Sequence, residues 1–216
     1  MTARAQVEAS APVIVWHFAG KTLRNGAALT PRGGVERVEG CIVPCDRGLH
    51  GSVRAIDALL YAPGVMVARC ELRGTVVPHG TPTDKHAASE RVCLTGYHDA
   101  TRVLHEFACW CASAALDREE AAGRKVDPRS RAAISTKLAW LDGKITDADL
   151  AAAWAAAWAA AWDAARDAAW DAARDAARAA AWAAARDAAW DAARAAAWAA
   201  QNTELERRLT ALVEGR

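Results

Sequence analysis

The residues best suited to binding or catalysis lie among the first ninety positions and come from three kinds of local segment. His17 lies in an apolar run typical of a strand, His50 in a Gly-Leu-His-Gly-Ser turn, and Asp84-Lys85 after a loop rich in Pro and Gly. Histidine exchanges protons near neutral pH, and Lys beside Asp offers a charged donor next to an acceptor. We therefore predict that these side chains line one concavity that binds a small molecule. The alternative is that His50 is a hydrogen-bonded turn residue and Asp84-Lys85 a solvated turn.

Cysteine and histidine also occur at spacings that could bind zinc. Cys41-x3-Cys45 precedes His50, and His105-x3-Cys109 falls on a predicted helix. Neither is the tight C-x2-C pair typical of structural zinc, and Cys is common as a small buried apolar residue. We expect no metal and no cofactor. The P-loop, GxGxxG, HExxH and GxSxG motifs are also missing from the sequence, which argues against the commonest nucleotide-hydrolase, metalloprotease and hydrolase assignments.

Residues 1–97 are predicted to form a small α+β head that positions these groups. Strands are predicted at four runs of strand-forming residues: Val13–Phe18, Val35–Val43, Val65–Leu72 and Glu90–Leu94. A short helix is predicted to begin at Ser52, as its N-cap, and to end at Tyr61, with Leu60 on its inner face. The segment Gly74–Thr83 is predicted to be a loop because Gly and Pro recur in it.

The head resembles ADP-ribosyltransferase folds in the strand around His17, the Gly-Leu-His-Gly-Ser turn and Tyr61. The resemblance implies that His17 holds the nicotinamide ribose and that Tyr61 stacks on the nicotinamide. The sequence departs from the family pattern in its late Glu motif, for which only Glu71 and Glu90 are available. A nucleotide-like ligand bound without catalysis is the alternative. A non-enzymatic protein is the leading hypothesis.

Residues 98–145 change to a helical apolar period and predict a two-helix platform. The first helix ends before Gly123, and Asp127-Pro128 offers an N-cap followed by Pro at the first helical position of the second. Gly143 is predicted to end that second helix. The residues predicted to be buried are Phe107, Cys111, Ile134, Leu138 and Leu141.

Residues 151–200 follow a four-residue repeat in which one position is Trp or Arg and most others are Ala or Asp. Because Ala is the best helix former and the repeat lacks Gly and Pro, we predict one long helix over residues 146–213. Thr146 and Asp149 are placed to form a capping box at its start, and Gly215 is placed to end it. A β-solenoid is the rival structure, but Ala is depleted in strands.

The four-residue spacing determines how the Trp side chains are displayed. Each repeat overshoots a helical turn by ~40°, so the Trp/Arg stripe spirals around the helix. Trp154, Trp158 and Trp162 remain within ~80° of one another and are predicted to pack on the platform. Seven Trp on one helix would exceed the apolar patch that monomers tolerate, so the later rings are predicted to contact another chain. The predicted partner-binding residues are Trp170, Trp182, Trp190, Trp198, Arg174 and Arg186.

Several short segments together resemble a known family. They include Cys45-Asp46-Arg47-Gly48-Leu49-His50, Asp84-Lys85 and the residues that enter the repeat, Ala139–Ile145. They are similar to an uncharacterised domain family of bacteriophages and mobile elements, with repeats like those of Ala-rich immunity-type proteins. The resemblance implies a mobile-element origin and no established reaction.

The leading hypothesis is an assembly protein whose repeat helix binds a second copy or a host or phage protein. The alternatives are a nucleotide-binding or transferase-like head that the helix only oligomerises, and a repeat that is a tolerated replication-slippage expansion. The net charge of +1, and six Asp against five Arg in the repeat, argue against nucleic acid as a partner. The longest uncharged stretch, 150–162, falls short of the ~20 residues that a membrane span needs. Six irregularly spaced Cys and no recognisable signal peptide favour reduced thiols and a cytoplasmic location.

Overall fold

The computed structural model describes residues 11–159 and 183–216, without the side chains of residues 183–193. It contains an antiparallel sheet and several helices, so the predicted α+β class is confirmed. Two compact units divide the chain. The head unit comprises Met1–Val103 together with Gln201–Arg216, and the helical unit comprises Leu104–Ala200. The sequence prediction had placed residues 201–216 with the repeat helix, whereas the structure groups them with the head.

Six strands build the head unit: β1 Val13–Ala19, β2 Val35–Arg37, β3 Leu49–Gly51, β4 Met66–His79, β5 Lys85–Cys93 and β6 His98–Asp99. The order across the sheet is β1-β4-β5-β2, and every pairing is antiparallel. β3 also pairs with β5, and β6 pairs with β4. The long β4–β5 hairpin is therefore the centre of the sheet, and each shorter strand is attached to it.

The hairpin differs from its prediction at Gly74–Thr83, which was expected to be a loop. β4 instead continues to His79 after a register shift between Arg73 and Val76. Gly74 has a positive φ of 74° at that point, which residues with a side chain rarely adopt. Because the shift interrupts the apolar alternation, the second half of the strand does not look like a strand in the sequence.

The sheet core combines small residues with a few large apolar ones. It contains Val15, Ala68, Cys70, Leu72, Ala88 and Cys93, all fully buried. Cys70 and Cys93 are direct cross-strand neighbours on β4 and β5, and both are free thiols. Their burial agrees with the interpretation of these cysteines as small apolar core residues.

The described helices are α1 Ala55–Leu60, α2 Thr101–Ala121, α3 Pro128–Leu141 and α4, whose described part is Ala183–Glu214. Residues 147–159 are helical as well. The prediction that Ser52 caps α1 is wrong, because Ser52 is buried in a β-bridge with Trp16. Arg54 is the N-cap, without a side-chain hydrogen bond, and Leu60 is 63% exposed instead of inward.

The C-terminal end of α4 supplies the cap that α1 lacks. The side-chain oxygen of Asn202 accepts a hydrogen bond from the backbone N–H of Ile56 at 3.1 Å. Glu206 accepts another from the N–H of Ala55 at 3.2 Å. Leu205 and Leu209 are fully buried. This end of the helix is thus part of the head core, and it satisfies backbone donors about 150 positions earlier in the chain.

In the helical unit, α2 and α3 are antiparallel. Arg131, near the start of α3, forms ion pairs with Asp117 and Glu120 near the end of α2. At the other end, the rings of His105 and Trp140 meet edge to face at 6.2 Å. Polar bridges and one ring contact therefore join these helices.

The predicted caps of the helical unit are confirmed. The Asp127 carboxylate accepts from the backbone N–H of Arg129 at 2.8 Å, with Pro128 at the first helical position. At the next helix start, Asp149 accepts from the N–H of Thr146 at 2.9 Å, and the Thr146 hydroxyl accepts from the N–H of Asp149 at 3.2 Å. Gly215 has a positive φ just beyond α4, as its predicted terminating role requires. Whether the helix is continuous depends on residues 160–182, which lie outside the described residues.

The buried faces predicted for this unit are only partly correct. Phe107 is buried, Cys111, Ile134 and Leu141 are half-buried, but Leu138 is 40% exposed. Trp154 and Trp158 are 65% and 69% exposed, so the prediction that they pack on the platform is wrong. Trp162, which the same prediction included, lies outside the described residues. Apolar residues at helical spacing form a core only where another helix or sheet covers them. α3 buries none of its residues, and the Ala neighbours of these Trp rings are too short to cover an indole.

Candidate functional site

The head unit contains a cavity of about 680 Å³, a size common for small-molecule sites. β1, the residues that follow it, the segment around β3 and the start of β5 contribute to its walls. Four of the predicted site residues line it: His17, His50, Tyr61 and Lys85. The fifth, Asp84, is not a lining residue, but its carboxylate accepts a hydrogen bond from the Tyr61 hydroxyl at 2.7 Å.

Close contact between β3 and β1 brings two walls of the cavity together. The backbone groups of Trp16 and Ser52 exchange two hydrogen bonds, of 2.8 and 3.1 Å. Gly51 permits this approach, because a Cβ atom there would lie 2.4 Å from Cγ2 of Val15. The Gly-Leu-His-Gly-Ser turn therefore places His50 on the cavity wall, across from the residues of β1.

His17 is a neutral side chain in this environment. Its Nδ1 atom is 2.6 Å from the Tyr97 hydroxyl, and the two rings meet edge to face. Burial, followed by the positive charge of Arg91 and the neighbouring His50, holds the pKa of His17 well below its ordinary value. Burial likewise raises the pKa of Tyr97. At neutral pH the pair thus offers hydrogen-bonding groups without a charge.

Arg91 is a buried cation at the cavity wall, where the residue is only 4% exposed. Its guanidinium donates to the backbone oxygen of His50 at 2.8 Å and to the Glu36 carboxylate at 2.7 Å. Glu36 also accepts from the Thr30 hydroxyl at 2.7 Å. The Nε atom of Arg91 has no hydrogen-bond partner in the described structure. Arg91 therefore ties three strands together and keeps one unsatisfied donor.

Arg91 was not among the predicted site residues. The available signal was a charged residue inside the predicted strand Glu90–Leu94, followed by three apolar residues. In a buried strand such a residue needs a partner or a ligand.

Lys85 and Tyr61 form the rim of the cavity. The Lys85 ammonium lies 3.9 Å from the centroid of the Tyr61 ring, a cation–π geometry. Tyr61 is 45% exposed, whereas Lys85 is only 7% exposed. The hydrogen bond to Asp84, with a smaller effect of desolvation, raises the pKa of Tyr61 to about 12. Tyr61 is therefore a protonated donor, already bound to a carboxylate.

His50 adds a second neutral imidazole. Its Nε2 atom accepts a hydrogen bond from the backbone N–H of Cys45 at 3.2 Å, which requires that nitrogen to be unprotonated. Burial, followed by the charges of Lys85 and Arg91, lowers the pKa of His50. With both histidines neutral, the positively charged lining residues that the structure describes are Arg24, Lys85 and Arg91. The negatively charged one is Glu36, which forms an ion pair with Arg91.

The glutamates needed for transferase chemistry lie elsewhere. Glu71 pairs with Arg73, and Glu90 pairs with Arg37 at 2.9 Å. Neither is among the described lining residues of the cavity. Across residues 11–159 and 183–216, no group of three or more His, Cys, Asp or Glu side chains has a geometry that could hold a metal ion.

Most of the residues of the repeat that were predicted to bind a partner lie outside the described structure, in whole or in their side chains. Trp170, Arg174 and Trp182 lie outside the described residues, as do the side chains of Arg186 and Trp190. Trp198 is half-buried. Their role stays a prediction, and Trp154 and Trp158 are the rings of the repeat that the structure shows to be exposed.

Comparison with protein-family models, with curated proteins and with solved structures finds no match to this chain. None of the helices in the described part of the chain has the length and apolar character needed to cross a membrane.

Proposed function

We propose that the head unit is a binding module for a small anionic ligand, of which a phosphate-bearing nucleotide-like compound is the leading class. The cationic lining of the cavity carries this proposal. Arg24, Lys85 and Arg91 contribute three positive charges, and the one carboxylate on the wall, Glu36, neutralises only one of them. A cleft that is lined by charge of one sign and has walls of low dielectric strengthens the attraction of an anion to those charges.

The neutral groups of the cavity support a ligand with a polar organic part. His17 and His50 offer uncharged ring nitrogens, and the exposed ring of Tyr61 offers an aromatic surface at the rim. Since Glu71 and Glu90 lie away from this cavity, the proposal is for binding and not for transfer of ADP-ribose.

Isothermal titration of the full chain with NAD, AMP, cyclic AMP and inorganic pyrophosphate tests the proposal. We expect at least one of these to bind, with an affinity that falls as salt rises. Arg24→Gln should weaken binding about 10- to 100-fold, as expected for loss of a charged hydrogen bond worth ~1.5–3 kcal/mol. Arg24 is exposed, so its substitution should leave the fold unchanged.

Arg32→Gln is the matched control, because Arg32 is also exposed but is not among the lining residues. Equal affinities for the Arg24→Gln and Arg32→Gln proteins would show that the ligand binds elsewhere. Failure of all four compounds to bind would reject the leading ligand class.

A second proposal is self-association through the repeat, and the exposure of Trp154 and Trp158 favours it. The two rings are four residues apart, so they project from one side of the helix about 6 Å apart. Burying half of each ring at ~25 cal/mol/Å² would contribute roughly 2 kcal/mol per ring before ordering costs. A second copy presents the same two rings at the same spacing, so the two copies offer apolar surfaces of equal size that can pack against each other.

Sedimentation of the full chain at micromolar concentration tests this association. We expect a dimer or larger species that dissociates in the Trp154→Ala/Trp158→Ala protein. Leu60→Ala is the control, because Leu60 is a similarly exposed apolar residue of the head. A monomeric wild-type protein, or equal effects of the two substitutions, would contradict the proposal.

A further inference from the structure

Cys45 lies at the rim of the cavity in a tight turn. The turn is closed by two hydrogen bonds between the backbones of Val43 and Arg47, each of 2.8 Å. Cys45 has a φ of 70°, the only positive value at a non-glycine residue in the described chain. Its backbone N–H donates to His50, and its residue is exposed. The thiol is thus accessible and held in place by the turn around it.

The Lys85 ammonium lies 3.2 Å from the Cys45 sulfur and donates a hydrogen bond to it. Lys85 is only 7% exposed, and no carboxylate in the described structure forms an ion pair with it. The neighbouring carboxylate, Asp84, is bound to Tyr61. The nearly buried Lys85 ammonium therefore has the Cys45 sulfur and the Tyr61 ring as its described contacts.

A second basic side chain also contacts the thiol. The Nε2 atom of His79 is 3.7 Å from the Cys45 sulfur. Cys41, by contrast, is an exposed thiol in the same segment for which the structure describes no such contact. The two cysteines are therefore a natural pair for comparison. Thiols beside cations react faster because the thiolate is the nucleophile.

We propose that Cys45 is a nucleophilic thiol and a covalent modification site for soft carbon electrophiles, with a preference for those that carry a negative charge. In the alkylation, a sulfur electron pair forms the S–C bond, the bond from carbon to the leaving group breaks, and that group departs with its electron pair. The thiol proton is released to solvent. This inference goes beyond ligand binding and does not rest on it, because the reaction is measured without a cavity ligand.

Alkylation of the full-length protein at pH 7 by iodoacetate and by iodoacetamide, in separate reactions, tests the inference. Peptide mapping by mass spectrometry gives a rate for each cysteine. We expect Cys45 to react at least about tenfold faster than Cys41. We also expect the ratio of the iodoacetate rate to the iodoacetamide rate to be higher at Cys45, because Lys85 attracts the carboxylate of the reagent.

Two substitutions of Lys85 separate its charge from its role in packing. Lys85→Met should lower the Cys45 rate to about that of Cys41 and remove the preference for iodoacetate, whereas Lys85→Arg should retain most of both. His79→Gln should have a smaller effect, since its contact is longer. Hydrogen exchange of β5 reports whether each variant is folded.

Equal rates at Cys45 and Cys41 in the wild-type protein would overturn the inference. An unchanged Cys45 rate in a folded Lys85→Met protein would do the same. If Lys85→Met does not fold, the role of Lys85 is tested by the reagent preference of the wild-type protein. Equal ratios of the iodoacetate rate to the iodoacetamide rate at Cys45 and Cys41 would then reject that role. Ligand affinity of the cavity is measured separately, by the titrations of the Arg24→Gln and Arg32→Gln proteins, so failure of one proposal is distinguishable from failure of the other.

Discussion

The head unit and the helical unit are stabilised in different ways. The head depends on side chains that are far apart in the sequence: Asn202 and Glu206 bind the amides of α1, and Leu205 and Leu209 are fully buried. The helical unit combines local caps, such as the Thr146–Asp149 capping box, with ion pairs and one ring contact between α2 and α3, and none of the residues of α3 is buried. The same substitution should therefore have a different effect on stability in the two units, because the effect depends on how buried the residue is and not on its type.

Leucine truncation should show the largest difference. Leu205→Ala removes a fully buried side chain and should destabilise the head by about 2–5 kcal/mol. Leu138→Ala, at a position that is 40% exposed, should cost less than ~1 kcal/mol. Hydrogen exchange in urea, followed separately for β4–β5 and for α2–α3, measures each unit by itself. Similar losses in the two proteins would show that the buried and exposed leucines are equivalent, against the structure.

Mild acid should be the next strongest perturbation, and it should act on the head. The pKa values of His17 and His50 are lowered in the folded protein, so the unfolded chain binds more protons below about pH 6.5. Their contribution is therefore complete above that pH and is lost as pH falls below it. In the helical unit, the Arg129 side-chain hydrogen bond holds the pKa of Asp127 at about 2, so its contribution is lost only below about pH 4.

Hydrogen exchange, followed separately in the two units between pH 8 and pH 5, measures this difference. We expect protection of β4 and β5 to fall over that range while protection of α3 stays level. His50→Gln keeps an acceptor for the N–H of Cys45 and should reduce the slope for the head. A head as stable at pH 5 as at pH 8 would contradict the lowered pKa values.

The cap that α4 supplies to α1 should have an intermediate effect. Asn202→Ala leaves the backbone N–H of Ile56 without its acceptor and should cost the head about 1–2 kcal/mol. Asn202→Asp keeps an acceptor at the same position and should retain most of the stability. Urea unfolding of the head gives both values, and equal losses in the two proteins would show that the hydrogen bond contributes nothing.

The smallest effect is expected at the exposed capping box of the helical unit. Thr146→Ala should lower protection of the first helical turns after residue 146 by about 0.5–1 kcal/mol, whereas Thr146→Ser should be nearly neutral. Hydrogen exchange of residues 147–150 is the measurement. A comparable loss in the head would mean that this cap stabilises more than its own helix.

Local features were predictable from the sequence, and features that depend on distant residues were not. The caps at Asp127 and Thr146 were correct because both partners lie within three residues of each other. The cap of α1 was misassigned to Ser52, since its partners lie about 150 positions away. The exposure of Leu138 was missed because periodicity marks an apolar face without showing that anything covers it.

The same difference between local features and features that depend on distant residues applies to the candidate site. His17, His50 and Lys85 were predicted from residue type and local pattern, and Tyr61 from the resemblance to ADP-ribosyltransferase folds. All four line one cavity in the structure. Arg91 was missed because its importance depends on partners from other strands. The contact between Cys45 and Lys85 depends on a turn and a hairpin end that are forty residues apart. Whether the cavity binds a ligand stays a prediction.

The position of Gln201–Arg216 within the head unit has a consequence for the gene. Repetitive coding sequence is prone to gain or lose nucleotides, and a shift of reading frame inside the repeat would change every residue after it. Such a chain would lack Leu205 and Leu209, so its head would have an incomplete core even though residues 1–103 were correct. Gain or loss of whole codons would preserve both leucines. The head is therefore stable only when the repeat has been translated in the correct reading frame. We expect frameshifted chains to be removed by proteolysis.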